Sequence, residues 1–77
     1  MQLKSVLVFF RRGVDSSVIK TVKEVLNQHK IKFAFIERDS ARWVDFQNRD
    51  LVVVVGGDGT FLRASHYNMK SVPMLGV

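Results

Sequence analysis

Cysteine is absent from the 77 residues, so neither a disulfide bond nor a cysteine-based zinc site is possible. No apolar run approaches the ~20 residues that a membrane-spanning helix needs. The apolar stretch 6–10 near the N-terminus is followed at once by Arg11 and Arg12, and we therefore expect no signal peptide. Together these absences lead us to expect a cytoplasmic protein without a membrane partner.

Acidic residues are outnumbered in this sequence. Twelve Lys and Arg face seven Asp and Glu, which leaves a net charge of +5. Such an excess predicts an anionic partner: nucleic acid, an acidic membrane or a phosphorylated small molecule. The basic residues are scattered rather than clustered with aromatic residues, which disfavours nucleic acid. The small size allows one domain, 1–77, with a limited core, because so short a chain buries only about 60% of its surface.

Short apolar runs alternate with amphipathic segments along the chain. Strands are predicted where β-branched and aromatic residues concentrate, at 3–10, 32–37, 51–55 and 72–77. Helices are predicted between them, from a cap at Asp15 or the following serines to residue 30, and over 60–70. One or two helical turns are expected in 40–49, where Trp43 and Phe46 are expected to cover the sheet or a subunit contact rather than stack on a base.

The order of these elements predicts an α/β fold with a three-layer, Rossmann-like parallel sheet. The all-apolar segment 51–55 supports this, because a strand covered on both faces needs no polar residues. The common strand orders of such sheets place the first strand beside the third, and ligands bind at their carboxyl ends, where the chain reverses direction. This arrangement would place Arg11 and Arg12 next to the glycine-rich segment 56–60.

The segment 56–60 has the sequence GGDGT, with three glycines in four positions between a predicted buried strand and a predicted helix. A tight turn in which Asp58 or Thr60 caps the helix needs one glycine at most. Phosphate binding explains the others, because backbone without Cβ atoms can approach an anion closely at a helix N-terminus. The pattern matches neither the Walker motif nor the dinucleotide-binding G-x-G-x-x-G motif.

Asp58 is the residue that points to a reaction. A carboxylate inside a phosphate cradle repels the ligand unless it has a task of its own. Two tasks fit: a general base toward a hydroxyl nucleophile, or indirect handling of Mg²⁺. Because phosphoryl transfer depends mainly on positioning and charge neutralisation, a base, several N–H donors and nearby cations form a coherent set for it.

The GGDGT segment resembles the signature of a superfamily that contains NAD kinases, diacylglycerol and sphingosine kinases, and 6-phosphofructokinases. Residues 61–64 (FLRA) and 72–77 (VPMLGV) are similar to the NAD kinase pattern, in which GGDGT-x-L-x-A leads to a P-x-L-G-[IV] strand. Lipid kinases typically have Asn-Glu after GGDGT, where this chain has Phe61 and Leu62. The resemblance covers the whole chain in layout and residues 51–77 in motif.

The resemblance implies a nucleotide site with a catalytic aspartate. Asp58 would accept the proton of the adenosine 2′-hydroxyl of NAD. Asp58 and Gly59 would contact NAD, as would Arg63. Gly56 and Gly57 would lie near the phosphoryl donor, which is ATP or polyphosphate. A divalent cation, normally Mg²⁺, would accompany the donor, with no metal ligand assigned to this chain, and the full-length protein could form homo-oligomers. The nucleotide-binding residues expected on these grounds are Gly56, Gly57, Asp58, Gly59, Thr60, Arg63, Arg11 and Arg12. For Arg11 and Arg12, a solvated loop is an equal alternative.

NAD kinases continue past the P-x-L-G-[IV] strand into N-x-G, an Asn-Glu or Asn-Asp pair that binds the ribose, and a C-terminal β-rich domain. This chain stops at Val77, inside the fourth predicted strand. We therefore expect an incomplete N-terminal nucleotide-binding domain that has no measurable NAD kinase activity by itself. Two alternatives stay open: another kinase of the superfamily that acts on a lipid or small molecule, and a non-catalytic nucleotide- or nucleic-acid-binding module, which the net charge favours.

Overall fold

A computed structural model describes residues 3–68 and 72–77 of the chain. Strands and helices alternate as the sequence predicts. The elements, in chain order, are β1 (Ser5–Phe10), α1 (Ser16–Gln28), β2 (Lys32–Glu37), a 3₁₀ helix (Trp43–Phe46), β3 (Leu51–Val55), α2 (Asp58–Tyr67) and β4 (Met74–Gly76).

The four strands form one parallel sheet in the order β2-β1-β3-β4. In the centre of the sheet, Val8 of β1 pairs with Phe35 of β2 on one side and with Val53 of β3 on the other. The chain moves one way from β1 to β2 and the opposite way from β3 to β4. The point of reversal therefore lies between β1 and β3, which confirms the predicted parallel α/β fold and the predicted neighbours.

Both faces of the two central strands are buried, so the fold has three layers. Alternate residues face opposite sides, and each side chain in the middle of these strands is no more than 6% exposed. Leu26 of α1 packs on one face, and Ala64 of α2 with Phe46 of the 3₁₀ helix packs on the other. The residues toward α1 are Val6, Val8, Val53 and Val55, and those toward α2 are Leu7, Phe9, Val52 and Val54.

An aromatic cluster joins the 3₁₀ helix and α2 to the sheet. The Phe46 ring centroid lies 5.5 Å from that of Phe9, and the Phe46 ring stacks on Tyr67 at 5.7 Å. Phe46 is 2% exposed, as expected of a residue that covers the sheet, whereas Trp43 is 52% exposed. Trp43 therefore does not cover the sheet, because the short 3₁₀ helix turns only one of the two aromatic side chains toward it, and a subunit contact for Trp43 stays a prediction.

Most element boundaries differ from the predictions by a few residues. Asp15 caps α1 as expected, with its Oδ1 accepting the Ser17 N–H at 2.9 Å. The helix ends at Gln28, and Lys30 has a φ of +55°, which a continued helix cannot accommodate. The first and fourth strands are shorter than predicted because only part of each apolar run finds a pairing partner.

The second helix differs most from its prediction. It begins at Asp58 and its N-cap is Gly57, so neither Asp58 nor Thr60 is the cap. It ends at Tyr67, and the last positions of the predicted helix, including Met69, lie outside the described residues. The sequence spacing predicts one helical face through Phe61, Leu62, Ser65 and Met69, and the exposed side chains of the first three show that this prediction is wrong.

The buried side of α2 is formed by small residues instead. Thr60 and Ala64 are at most 1% exposed, whereas Phe61 and Leu62 are 39% and 60% exposed. Small side chains let the helix axis approach the sheet and the preceding loop closely. The larger apolar residues are then directed away from the core.

The α1 side of the sheet is covered unevenly in the described part of the chain. Helix α1 lies over β1 and β2, and Leu75 and Val77 beside β3 are more than half exposed on this side. The β3-to-β4 crossover places α2 on the other face, as a right-handed connection requires. Within residues 3–68 and 72–77, neither helix has the length and apolar character needed to cross a membrane.

Candidate nucleotide site

The carboxyl ends of β1 and β3 meet at one edge of the sheet. Phe10 pairs with Val55 in the ladder, and the Arg11 N–H donates to the Val55 carbonyl oxygen at 3.3 Å. The turn that follows β1 contains Gly13, whose φ of +87° lets the chain reverse toward α1. The backbone at Arg11 thus lies beside the glycine-rich loop that begins at Gly56, as the topology argument predicts.

The glycine-rich loop has one constrained glycine and two open ones. Gly56 has a φ of +150°, and a Cβ at this position would come within 2.7 Å of Thr60 Oγ1. At Gly57 and Gly59, a Cβ would meet no atom within 4 Å. Only Gly56 is therefore required by the fold, and the space above the other two glycines is open to a ligand.

The N-terminus of α2 is presented to this open space. Gly57 caps the helix without a side-chain hydrogen bond, and its carbonyl oxygen accepts the N–H groups of Thr60 and Phe61 at 3.0 and 3.2 Å. The amides of Asp58 and Gly59 belong to the first turn and have no intrahelical acceptor. Such a turn attracts anions through its N–H groups and the helix dipole, so a phosphate group can be accommodated there.

Asp58 is the first residue of α2 and its side chain is exposed. Among residues 3–68 and 72–77, its carboxylate makes neither a hydrogen bond nor an ion pair. It does not cap the helix, because Gly57 does. The Asp58 carboxylate is thus exposed to solvent and takes no part in the hydrogen bonding of the described fold.

Thr60 supports the loop from inside. Its side chain is 1% exposed, and its Oγ1 faces Gly56 and lies 3.5 Å from Arg38 Nη1. The hydroxyl is therefore enclosed by protein and offers almost no surface to a solvent-side ligand. Its place explains why a small, β-branched residue with one polar atom follows the three glycines.

The arginines named from the sequence lie at the same edge, but their charged groups point to different partners. The Arg12 side chain is 86% exposed, and its Nε lies 3.9 Å from Glu37 Oε1 at the end of β2. Arg63 projects from α2, and its Nη1 lies 3.5 Å from Asp39 Oδ1. In the described residues, neither guanidinium is within ion-pair distance of Asp58.

The end of β2 contributes three charged residues that the sequence reasoning missed: Glu37, Arg38 and Asp39. The Arg38 N–H donates to the Phe10 carbonyl oxygen at 2.7 Å, which fixes this segment beside the end of β1. These residues follow from the same strand order, because β2 lies on the other side of β1 and ends at the same edge. Within the described chain, Glu37 Oε1 and Arg38 Nε are buried without a hydrogen-bond partner.

The described residues do not form a metal site by themselves. No group of three or more His, Cys, Asp or Glu side chains is gathered closely enough in 3–68 and 72–77. A Mg²⁺ ion that arrives with a nucleotide needs only one or two protein carboxylates, because phosphates and water supply the other ligands. Asp58 and the adjoining amides are thus compatible with a metal–nucleotide complex.

A family profile described as the ATP-NAD kinase N-terminal domain matches residues 4–77. The chain belongs to this family. The match extends through the loop, α2 and β4, so the whole edge described above lies within the ATP-NAD kinase region. The resemblance inferred from GGDGT and the strand after it is confirmed.

Curated relatives of the ATP-NAD kinase family carry related names. The chain is 42% identical over 67 residues to a probable NADH kinase of Oryza sativa subsp. japonica, covering 87% of this chain and 20% of the relative. It is 39% identical over 67 residues to an NADH kinase of Arabidopsis thaliana, covering 87% of this chain and 21% of the relative. A 28-residue match to an NAD kinase of Thermococcus kodakarensis has 54% identity and covers 36% of this chain and 10% of the relative. The chain spans about a fifth of the length of the two plant relatives.

Proposed function

We propose that these residues form the N-terminal part of an NAD kinase, which transfers a phosphoryl group from ATP or polyphosphate to the adenosine 2′-hydroxyl of NAD. The observation that carries the proposal is the exposed Asp58 carboxylate at the start of α2. It lies between two glycines with open space above them, at the edge where β1 and β3 end. A base beside unpaired amides meets the needs of phosphoryl transfer to an alcohol.

In the proposed reaction, the 2′-oxygen attacks the terminal phosphorus of the donor. Asp58 takes the hydroxyl proton as the new O–P bond forms, and the bond between phosphorus and the bridging oxygen breaks to release the shortened donor. The amides of Asp58 and Gly59 hold phosphate oxygens at the helix N-terminus. A divalent cation bound with the donor would neutralise phosphate charge.

The arginines at this edge have separate proposed roles. Arg63 lies on the same helix as Asp58, five residues further on, and would contact the dinucleotide. Arg11 and Arg12 directly follow β1 and are exposed, so they would add positive electrostatic potential near the phosphates of the donor or acceptor. An exposed arginine can reorient toward an incoming phosphate at little cost, since surface ion pairs are weak.

NADH is a second candidate acceptor. The relatives from rice and Arabidopsis, which each match 87% of this chain, are named as NADH kinases. NAD and NADH share the adenosine ribose at which the proposed reaction occurs. The two differ only in the nicotinamide ring, so initial rates with each dinucleotide at equal concentrations would assign the preference.

The proposal is tested by comparing a full-length polypeptide that contains these residues with the 77-residue chain. We expect the full-length protein to convert NAD or NADH to its 2′-phosphorylated form with ATP or polyphosphate and a divalent cation. We expect no turnover by the short chain, because the resemblance assigns the ribose-binding residues to later parts of the sequence. Turnover by the short chain would contradict the second expectation.

Two further measurements on the full-length protein test the two alternative functions. Phosphorylation of diacylglycerol but not of either dinucleotide would identify a lipid kinase, against which Phe61 and Leu62 after GGDGT argue. A nucleic-acid-binding module would shift oligonucleotides in a gel without kinase activity, and this binding would weaken steeply with salt.

A further inference from the structure

The carboxylate of Asp39 lies between two guanidinium groups that come from different elements. Its Oδ1 is 3.5 Å from Arg63 Nη1 of α2 and 3.9 Å from Arg38 Nε, which follows β2. Arg38 reaches in turn to Thr60 Oγ1 at 3.5 Å. Asp39 therefore connects the end of β2 to the helix that carries Asp58.

The backbone of this segment is held more firmly than its side chains. The Asp39 N–H donates to Glu37 Oε2, and the Arg38 N–H donates to the Phe10 carbonyl oxygen at 2.7 Å. The Asp39 carboxylate thus projects from a turn whose backbone is hydrogen-bonded both within the turn and to β1. The Asp39 side chain has fewer rotatable bonds than that of Arg63, so an ion pair between them restricts Arg63 more than it restricts Asp39.

The ion pairs of Asp39 contribute little to folding stability. The side chains of Asp39, Arg63 and Arg38 are 51%, 46% and 35% exposed. Exposed pairs of this kind stabilise a protein only slightly. A free arginine side chain, by contrast, loses considerable rotamer entropy when a ligand fixes it.

We propose that Asp39 is a positioning residue that orients the Arg63 guanidinium for the dinucleotide acceptor. The inference rests on the proposed function, in which Arg63 contacts NAD or NADH. Asp39 does not touch the substrate and acts through Arg63. Pre-ordering this side chain lowers the entropy cost of binding, so the effect falls on the KM of the acceptor rather than on kcat.

A competing role for Asp39 would change the acceptor KM in the opposite direction. If Asp39 competed with the ligand for Arg63, its removal would release the guanidinium and lower the KM of the acceptor. If the pair served only the fold, its removal would lower the melting temperature and leave KM unchanged. The three roles are therefore distinguishable by the direction of one kinetic constant together with one measure of stability.

The experiment uses the full-length protein and the variants Asp39→Asn, Asp39→Glu, Arg63→Ala and the double variant Asp39→Asn with Arg63→Ala. We expect Asp39→Asn to raise the acceptor KM about two- to fivefold, the upper limit being what an exposed ion pair can contribute, with kcat and the melting temperature almost unchanged. Asp39→Glu should recover part of the loss because it restores the carboxylate. In the Arg63→Ala background, Asp39→Asn should have no further effect.

An unchanged or lowered KM in Asp39→Asn would overturn the inference, as would an equal effect of that substitution with and without Arg63. Glu24→Gln on the exposed side of α1 serves as the matched control for loss of one carboxylate. A wild-type protein that phosphorylates neither NAD nor NADH would refute the proposed function and this inference together. Normal wild-type turnover with an unaffected Asp39→Asn variant would refute the inference alone.

Discussion

The side chain of Thr60 occupies the space into which a side chain at Gly56 would project. A Cβ on Gly56 would lie 2.7 Å from Thr60 Oγ1 and 3.0 Å from Thr60 Cβ. The first and last residues of the GGDGT segment thus fit together at the base of the loop, while the residues between them face outward. This separates the structural part of the motif from the part that is open to a ligand.

Substituting the first two glycines with alanine should have different effects on stability. Gly56→Ala combines a φ of +150° with a clash against a buried side chain, and we expect a loss of about 1–3 kcal/mol in the free energy of unfolding. Gly57→Ala meets no atom within 4 Å and has an ordinary φ of −92°, so it should cost less, about 0.5–1 kcal/mol, because alanine is a poorer N-cap than glycine. Urea denaturation of both variants would measure the difference, and equal losses would contradict the assignment.

Gly57→Ala also tests whether an anion approaches the loop backbone. Because this variant should fold normally, any loss of activity reports on the ligand rather than on the fold. We expect the KM of the phosphoryl donor to rise in the full-length protein, since a Cβ would occupy space above the first-turn amides. A donor KM equal to that of the wild type would show that the phosphates bind elsewhere.

Asp58→Asn should abolish most of the activity without affecting the fold. A general base contributes typically ~10²–10⁴-fold to a rate, and an amide cannot accept the proton. Because the Asp58 side chain is exposed and makes no hydrogen bond within the described residues, the melting temperature should fall only slightly, through loss of one negative charge at the helix N-terminus. Steady-state kinetics with saturating donor and acceptor would show the loss in kcat, and Glu24→Gln again provides the control. Retention of wild-type kcat would exclude Asp58 as the base.

The two aromatic residues of the 3₁₀ helix provide a matched pair for the core. Phe46 is 2% exposed and packs on Phe9 and Tyr67, so Phe46→Ala should cost about 3–5 kcal/mol of stability. Trp43 is 52% exposed, and we expect Trp43→Ala to cost well under half as much, because little of its surface is withdrawn from water. Thermal or urea unfolding would measure both losses, and a larger loss of stability in Trp43→Ala than in Phe46→Ala would contradict this packing.

Asp50 gives the fold a defined sensitivity to acid. Its Oδ2 accepts the N–H groups of Lys4 and Ser5 at 2.7 and 2.9 Å, and these bonds lower the pKa of Asp50, that from Lys4 most strongly. Since the pKa in the folded state is below that of the unfolded chain, the stabilisation is complete above about pH 4 and is lost as the pH falls through the folded value. The difference in unfolding free energy between wild type and Asp50→Asn should be constant from neutral pH to about pH 5 and should shrink below about pH 4. A difference that grew on acidification would contradict this.

The sequence alone determined the fold class and the edge of the sheet on which the site lies. The uninterrupted apolar run of β3 indicates cover on both faces, and the alternation of strands with helices favours a parallel sheet between helices as its source. Once β1 and β3 are neighbours, chain connectivity places the ends of both strands at the same edge. The family could also be recognised, because the GGDGT segment and the strand after α2 are local patterns.

Only the tertiary structure decided which residues contact one another at that edge. The buried side of α2 consists of Thr60 and Ala64 rather than the larger apolar residues, because close approach of the helix to the sheet favours small side chains over large ones. Asp39 and Arg63 are far apart in the sequence and meet because β2 lies beside β1 while α2 follows β3. Periodicity and motifs describe residues near one another in the chain, whereas this pair depends on the order of strands in the sheet and on the directions of individual side chains.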